Sequence, residues 1–345
     1  MPEPILSIRN LAVEFKTDDG IVHAVDDISY DVFPRETLGI VGESGSGKSV
    51  STMSILGLIP QPPGRIASGT AMFKGRDLLK LKKRELRRVR GNEVAMVFQD
   101  PMTSLNPVLK VGVQLAEAIK THHPKENDEA IRKRVVDLLR LVGVPNPEVR
   151  ANQYPHEFSG GMRQRAMIAM SISNSPSLLI ADEPTTALDV TIQAQVIEVM
   201  KTVQNETDAA TILITHDLGL VAELCDRVLV MYAGRIVEAG DIFTIFAAPR
   251  HPYTIGLMDS LPRLTADEEW LRPIPGQPPS LINRPSGCAF HPRCFLTQGR
   301  MRCRDEVPPL RRTDESDHLS ACHFAEELRG RTSKLAEPAA AGGGA

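Results

Sequence analysis

The sequence predicts an α/β protein built on a parallel sheet. An antiparallel β subdomain precedes the sheet, a helical subdomain is inserted into it, and a small cysteine-containing extension follows it. Three observations predict this class. The first is a short apolar strand, TLGIVG, that runs into a glycine-rich loop and then into the helical segment SVSTMSILGLI. The second is a pair of apolar runs, SLLIADE and TILITHD, that turn charged at their carboxyl ends. Such runs suit strands covered on both faces. The third is the alternation of ILSIRNLAVEF and VHAVDDISYDV around the turn-forming Asp18, Asp19 and Gly20, as in an antiparallel pair.

The remaining elements follow in chain order. VGVQLAEAIK and EAIRKRVVDLLRLVGV carry helical periodicity and place a helical subdomain from Asp100 to about Gly160. VLVMYAGRIVEAG reads as a hairpin with Gly234 at its turn. Composition shifts after about Leu261 to a proline-rich stretch, and four of the five cysteines follow it. The expected division is a nucleotide-binding domain over 1–260, an extension over 261–328 and a disordered tail over 329–345. The extension is expected to fold apart from the sheet that carries the glycine loop.

The 345 residues are 42% hydrophobic and 24% charged, an ordinary globular composition. Forty Lys and Arg against 43 Asp and Glu give a net charge of −3, which argues against a nucleic-acid partner. The basic run Lys80 to Arg90 reads as a solvated helix face. No apolar run reaches the roughly 18 residues a membrane span requires, and no secretory signal is evident, so a cytosolic location is expected.

Gly42 to Ser49 (GESGSGKS) fits the loop whose backbone N–H groups cradle nucleotide phosphates, with Gly42, Ser44, Gly45 and Gly47 shaping it. Lys48 is expected to reach the β- and γ-phosphates, and the Ser49 hydroxyl to bind Mg²⁺. Asp182 ends an apolar strand, where it can hold Mg²⁺ through water. Glu183 is the candidate to orient or deprotonate water. His216 follows TILIT and is placed to contact the γ-phosphate. ATP and Mg²⁺ are the expected ligands.

FSGGMRQR narrows the class. With it the chain resembles the ATP-binding-cassette ATPases, whose core is a RecA-like sheet. The resemblance implies that Ser159, Gly160 and Gly161 bind the γ-phosphate held by a partner subunit; Met162 stands where glutamine is commonest. It also implies that Gln99 joins the γ-phosphate and Mg²⁺ to the helical subdomain, that Asp189 in TALD lies between subunits, and that Phe15 stacks on adenine. HPYTIGLMDSLPRL from His251, VFQDPMTSLNP and ADEPTTALDVTIQAQV are similar to ATPase subunits of oligopeptide and dipeptide importers, over about Leu6 to Phe324. The partners this implies are a second, similar ATPase, two membrane permease subunits that hold the chain at the cytoplasmic face of the membrane, and an extracytoplasmic peptide-binding protein. A nickel or other small-solute importer is the alternative. A soluble cassette acting on DNA or ribosomes fits less well, because the chain lacks both a coiled-coil insertion and a second cassette. A cassette that binds ATP without cutting it is disfavoured by Glu183 and His216.

Cys288, Cys294, Cys303 and Cys322 follow the spacing C-x5-C-x8-C-x18-C. Grouped thiols in a cytosolic chain point to a metal rather than disulfides. Zinc usually takes tighter pairs, whereas iron–sulfur clusters accept varied spacing. The similar importer ATPases carry a [4Fe–4S] cluster in this extension. That expectation comes first, zinc second and inert core thiols last. Cys225 is expected to be a buried small residue.

Overall fold

The computed structural model describes residues 3–100, 104–186, 189–260, 273–313 and 317–330. Within them the chain forms two sheets. Strands β1 (Leu6–Thr17), β2 (Gly20–Val32), β4 (Gly64–Phe73) and β5 (Arg76–Asp77) make an antiparallel sheet in the order β2-β1-β4-β5. Strands β3 (Thr37–Val41), β6 (Val94–Val97), β7 (Leu178–Asp182), β8 (Ala210–Thr215), β9 (Arg227–Tyr232), β10 (Arg235–Asp241), β11 (Arg311–Arg312) and β12 (Leu319–Ser320) make the second, in the order β11-β12-β10-β9-β3-β8-β7-β6. From β9 to β6 the neighbours are parallel; β10, β12 and β11 add antiparallel strands at one edge. The predicted hairpin is β9–β10, with Ala233 and Gly234 both at positive φ in the turn.

The apolar runs form the parallel strands because both faces are covered. Leu178 and Ile180 enter a core shared with β1, β4 and the helix Lys48–Ile55, while Leu179 and Ala181 face a second core built largely by helices. Strand β8 divides likewise, with Ile212 and Ile214 on one side and Leu213 on the other. This is the period-2 alternation of a pleated strand, apolar on both faces.

The helical region contains Val111–His122, Asp128–Leu141 and Gly160–Ile172. Asn127 caps the second of these by accepting from the Glu129 N–H, and Ile131, Val135 and Leu139 form its buried stripe at four-residue spacing. The helix 160–172 begins where the subdomain was expected to close.

One expectation is overturned. The extension does not fold apart from the glycine loop's sheet: β12 pairs with β10 through Glu238↔Ser320 and Ala239↔Leu319, and β11 pairs with β12. Phe290 joins the same core as β7 and β8, and Cys288 and Cys294 pack against it. A proline-rich sequence with few periodic apolar residues hides this, because its strands are two residues long and pair at an edge. Most of the tail expected over 329–345 lies outside the described residues.

Candidate functional site

Register brings the site together. Val41 pairs with Thr215, Asp182 with Ile214 and Val97 with Ala181. The residues just beyond these strand ends therefore emerge together at the carboxyl end of the parallel strands: the glycine loop, His216, Glu183 and Gln99. This is where open parallel sheets bind ligands.

The glycine loop is shaped by close approach. A Cβ at Gly42 would lie 2.2 Å from the Met231 carbonyl oxygen, and one at Gly47 2.2 Å from that of Ala24. Gly47 also takes φ 98° as it caps the helix Lys48–Ile55. A side chain at either position is excluded by contact and by conformation. Ser44 and Gly45 form the exposed crest.

Lys48 is 5% exposed, and its Nζ donates to the carbonyls of Gly42 at 2.7 Å and Glu43 at 3.0 Å. Burial lowers its pKa, against the pull of the Glu183, Asp182 and Glu43 carboxylates. The Ser49 hydroxyl donates to Asp182 Oδ1 at 2.8 Å. Burial raises the Asp182 pKa, opposed by that hydrogen bond, while the Glu183 charge raises it further. A cation beside Asp182 would relieve both effects.

Glu183 is at the centre of the charged side. Gln99 Nε2 donates to its Oε2 at 2.9 Å, Thr186 Oγ1 donates to the same oxygen at 2.8 Å, and His216 Nδ1 lies 3.6 Å from Oε1. Its φ of 47° is unusual for a residue with a side chain and costs on the order of 1–3 kcal/mol. The bond from its N–H to the Ile214 carbonyl, at 2.8 Å, holds it there.

Lys48, Ser49, Gln99, Asp182, Glu183 and His216 thus form one constellation. Ser159 and Asp189 serve instead as helix caps. Ser159 caps the helix 160–172 by accepting from the Met162 N–H, and a Cβ on Gly161 would lie 2.8 Å from Ile192. Asp189 caps the helix Val190–Glu206 by accepting from the Ile192 N–H. Neither Ser159 nor Asp189 hydrogen-bonds to the glycine loop among the described residues; Ala187 and Leu188 of TALD lie outside them. Phe15 is half-buried on β1, against Gly64 of β4.

The residues suit a nucleotide and its metal. Ser46 Oγ is buried in the loop without a hydrogen-bond partner, Gly45 opens onto free space, and Ser49 with Asp182 offers hard oxygens.

Sequence reasoning missed the loop's outer supports. The Glu43 N–H donates to Tyr253 Oη at 2.8 Å, and Arg293 forms a two-pronged pair with the Glu43 carboxylate at 2.7 and 3.0 Å. Tyr253 lies in the HPY segment, the one available signal. His251 there accepts from the Tyr253 N–H and caps the helix Pro252–Asp259, with Pro252 at its first turn. Burial pushes the His251 pKa down to about 3.

Cys288, Cys294, Cys303 and Cys322 line one small cavity with His251, His291 and His323, and all are free thiols. Burial raises each thiol pKa, to about 11 at Cys288 and about 12 at Cys322. Among the described residues no group of three or more His, Cys, Asp or Glu is arranged to hold a metal ion, so the structure gathers the thiols without defining a metal centre. Cys225 is buried as expected, just past the helix Leu218–Leu224 and 3.0 Å from where a Gly39 Cβ would lie.

The site is that of a nucleotide-binding cassette, and comparison with known proteins agrees. The ABC transporter family matches residues 25–186, and the oligopeptide/dipeptide transporter C-terminal region matches 237–303. The chain is 56% identical to the oligopeptide transport ATP-binding protein OppD of Bacillus subtilis (strain 168) over 287 residues, which is 83% of this chain and 80% of that one. It is 50% identical to the dipeptide transport ATP-binding protein DppD of Escherichia coli (strain K12) over 328 residues, 95% of this chain and 98% of that one. A dimeric structure of the ATP-binding cassette MJ0796 bound to ADP and Pi shares its fold, with a TM-score of 0.62 at 24% identity over 69% of this chain and 98% of that chain. The chain belongs to the ABC transporter family, in the group of ATP-binding subunits that carry the oligopeptide/dipeptide C-terminal region. No described helix is long and apolar enough to cross a membrane.

Proposed function

We propose that this chain hydrolyses ATP to power import of di- or oligopeptides, acting as half of an ATPase dimer on two permease subunits at the cytoplasmic face of the membrane. The observation that carries the reading is the Ser49–Asp182 and Gln99–Glu183–His216 constellation at the glycine loop, in a chain that also bears the peptide-transporter C-terminal region. Lys48 and the loop amides would hold the phosphates, with Phe15 against the adenine. Ser49, Asp182 and Gln99 would hold Mg²⁺, which neutralises phosphate charge when bound. Glu183 orients or deprotonates the attacking water, and His216 contacts the γ-phosphate. Ser159, Gly160, Gly161 and Asp189 serve the partner's nucleotide; Ser159 at an exposed helix N-terminus supports that role. The partner is a second, similar ATPase, and an extracytoplasmic peptide-binding protein delivers the solute.

The division at about residue 260 and the helical subdomain over about 100–160 are part of this proposal, as is a [4Fe–4S] cluster on Cys288, Cys294, Cys303 and Cys322. The convergence of four free thiols on one cavity supports the cluster. Anaerobically purified protein is expected to hold about four iron atoms per chain; stoichiometric zinc without iron would replace that assignment. The transport reading is tested with the complete complex in vesicles. Peptide-loaded binding protein is expected to stimulate ATP hydrolysis and fill the vesicles with peptide. Stimulation by a nickel-loaded or other solute-loaded binding protein and not by peptide would overturn it.

A further inference from the structure

The exposed crest of the glycine loop is braced from outside the nucleotide-binding strands. Glu43, the second residue of the loop, is held at three points. Its carbonyl accepts from Lys48, its N–H donates to Tyr253, and its carboxylate receives both terminal nitrogens of Arg293. Arg293 belongs to the C-terminal region, immediately before Cys294, 250 residues further along the chain.

Arg293 is itself fixed. Its side chain is 5% exposed, against 26% for Glu43. Its Nε donates to the Pro275 carbonyl at 2.8 Å, and Nη1 reaches the Tyr232 hydroxyl at 3.3 Å. Its guanidinium lies 5.9 Å from the Tyr232 ring centre and 6.0 Å from that of Phe290. Tyr232, Tyr253 and Phe290 pack together at centroid distances of 4.6 to 5.4 Å, so the arginine and the tyrosine that grip Glu43 share one aromatic support. A planar, bidentate, buried pair is the geometry in which arginine fixes a carboxylate in both position and orientation. Most other ion pairs among the described residues, such as Arg140–Glu148 with both side chains more than half exposed, lack that constraint.

We infer that Arg293 is a positioning residue for the ATP site: through Glu43 it holds the outer half of the glycine loop in the shape that receives the phosphates. The inference rests on the reading of Gly42 to Ser49 as the phosphate site. Ser44 and Gly45 are exposed, and a Cβ on Gly45 would meet nothing within 4 Å, so this part of the loop has little packing of its own. Glu43 is the last anchored residue before it. Loss of the brace leaves the carboxylate unpaired and frees the peptide whose carbonyl engages Lys48. The loop must then be ordered by the nucleotide itself, which lowers affinity without touching the groups that act on water.

The test is a double-mutant cycle on the full-length chain, assembled in its complex, with ATP affinity and steady-state hydrolysis as readouts. Wild type is measured first, and a wild type that fails to bind ATP would sink the function rather than this inference. Arg293→Ala is expected to raise the ATP Kd and KM about tenfold, with kcat at saturating ATP within about threefold. Arg293→Lys recovers part of the loss, since lysine supplies charge without the planar fork. Glu43→Gln lies outside the C-terminal region, so it tests the pair should Arg293→Ala fold poorly. It is expected to weaken ATP binding although it removes a negative charge near the phosphates; simple electrostatics predicts tighter binding. The double variant is expected to be no worse than the poorer single one. Unchanged affinity in the folded variants, tighter binding by Glu43→Gln, or losses that simply add would each overturn the inference.

Discussion

At the scale of single residues, the site holds its carboxylates in different environments. Asp182 is 3% exposed, and burial raises its pKa against the hydrogen bond from Ser49, so a neighbouring cation would favour its charged form. Glu183 is more accessible and hydrogen-bonded to Gln99 and Thr186, which aim it. Glu183→Gln keeps the shape and the bonds but removes the proposed base. Hydrolysis is expected to fall by about 10²–10⁴ with ATP binding kept within a few-fold, read by phosphate release and nucleotide titration. Turnover within tenfold of wild type would assign the base elsewhere. His251 gives a second prediction at this scale. Its folded pKa, about 3, lies below the ordinary value of 6.5, so the unfolded chain takes up the proton first as pH falls. Stability from this residue is complete above pH 6.5 and declines below it, by about 1.4 kcal/mol at pH 5.5. His251→Asn keeps a capping acceptor and removes the titration. Its urea stability is expected to vary less than that of wild type between pH 7.5 and 5.5; equal variation would show that His251 titrates normally.

At the scale of elements, most of the site was legible because strand register does the work. A strand that ends in Asp182 beside one that ends in Thr215 must place Glu183 and His216 together, and the motif that follows β3 supplies the phosphate loop. What was not legible was contact between elements distant in sequence: Arg293 with Glu43, Tyr253 with the loop backbone, and Glu238 with His318. No periodicity records such pairs, since each residue reads locally as an ordinary surface charge or core ring. Ser159 is a capping acceptor at the exposed N-terminus of the helix Gly160–Ile172. Ser159→Arg is expected to leave ATP binding at this chain's own loop unchanged while blocking dimer closure. Sedimentation with ATP and a hydrolysis-deficient partner checks this; closure at wild-type levels would remove Ser159 from the shared site.

At the scale of the whole molecule, the C-terminal region completes the sheet. Strand β12 covers an edge of β10 that would otherwise expose unpaired backbone groups. The seam is fixed by Glu238, a fully buried carboxylate that accepts from the N–H groups of Arg250 and His251 and pairs with His318 Nε2 at 2.7 Å. His318 is 1% exposed, so its removal takes a partner from a carboxylate that lies in the interior. Leaving one of the carboxylate's partners unmade costs roughly 1–3 kcal/mol. His318→Ala is therefore expected to lose at least that much in urea unfolding. Because β12 shares a ladder with β10 and β10 with β9, the loss should appear in one transition that includes the glycine loop. Hydrogen exchange is expected to quicken at Glu238, Ala239, Leu319 and Ser320 first, then over Gly42 to Ser49. Two separate transitions, with the loop's exchange unchanged after the first, would mean that the C-terminal region melts as an independent unit.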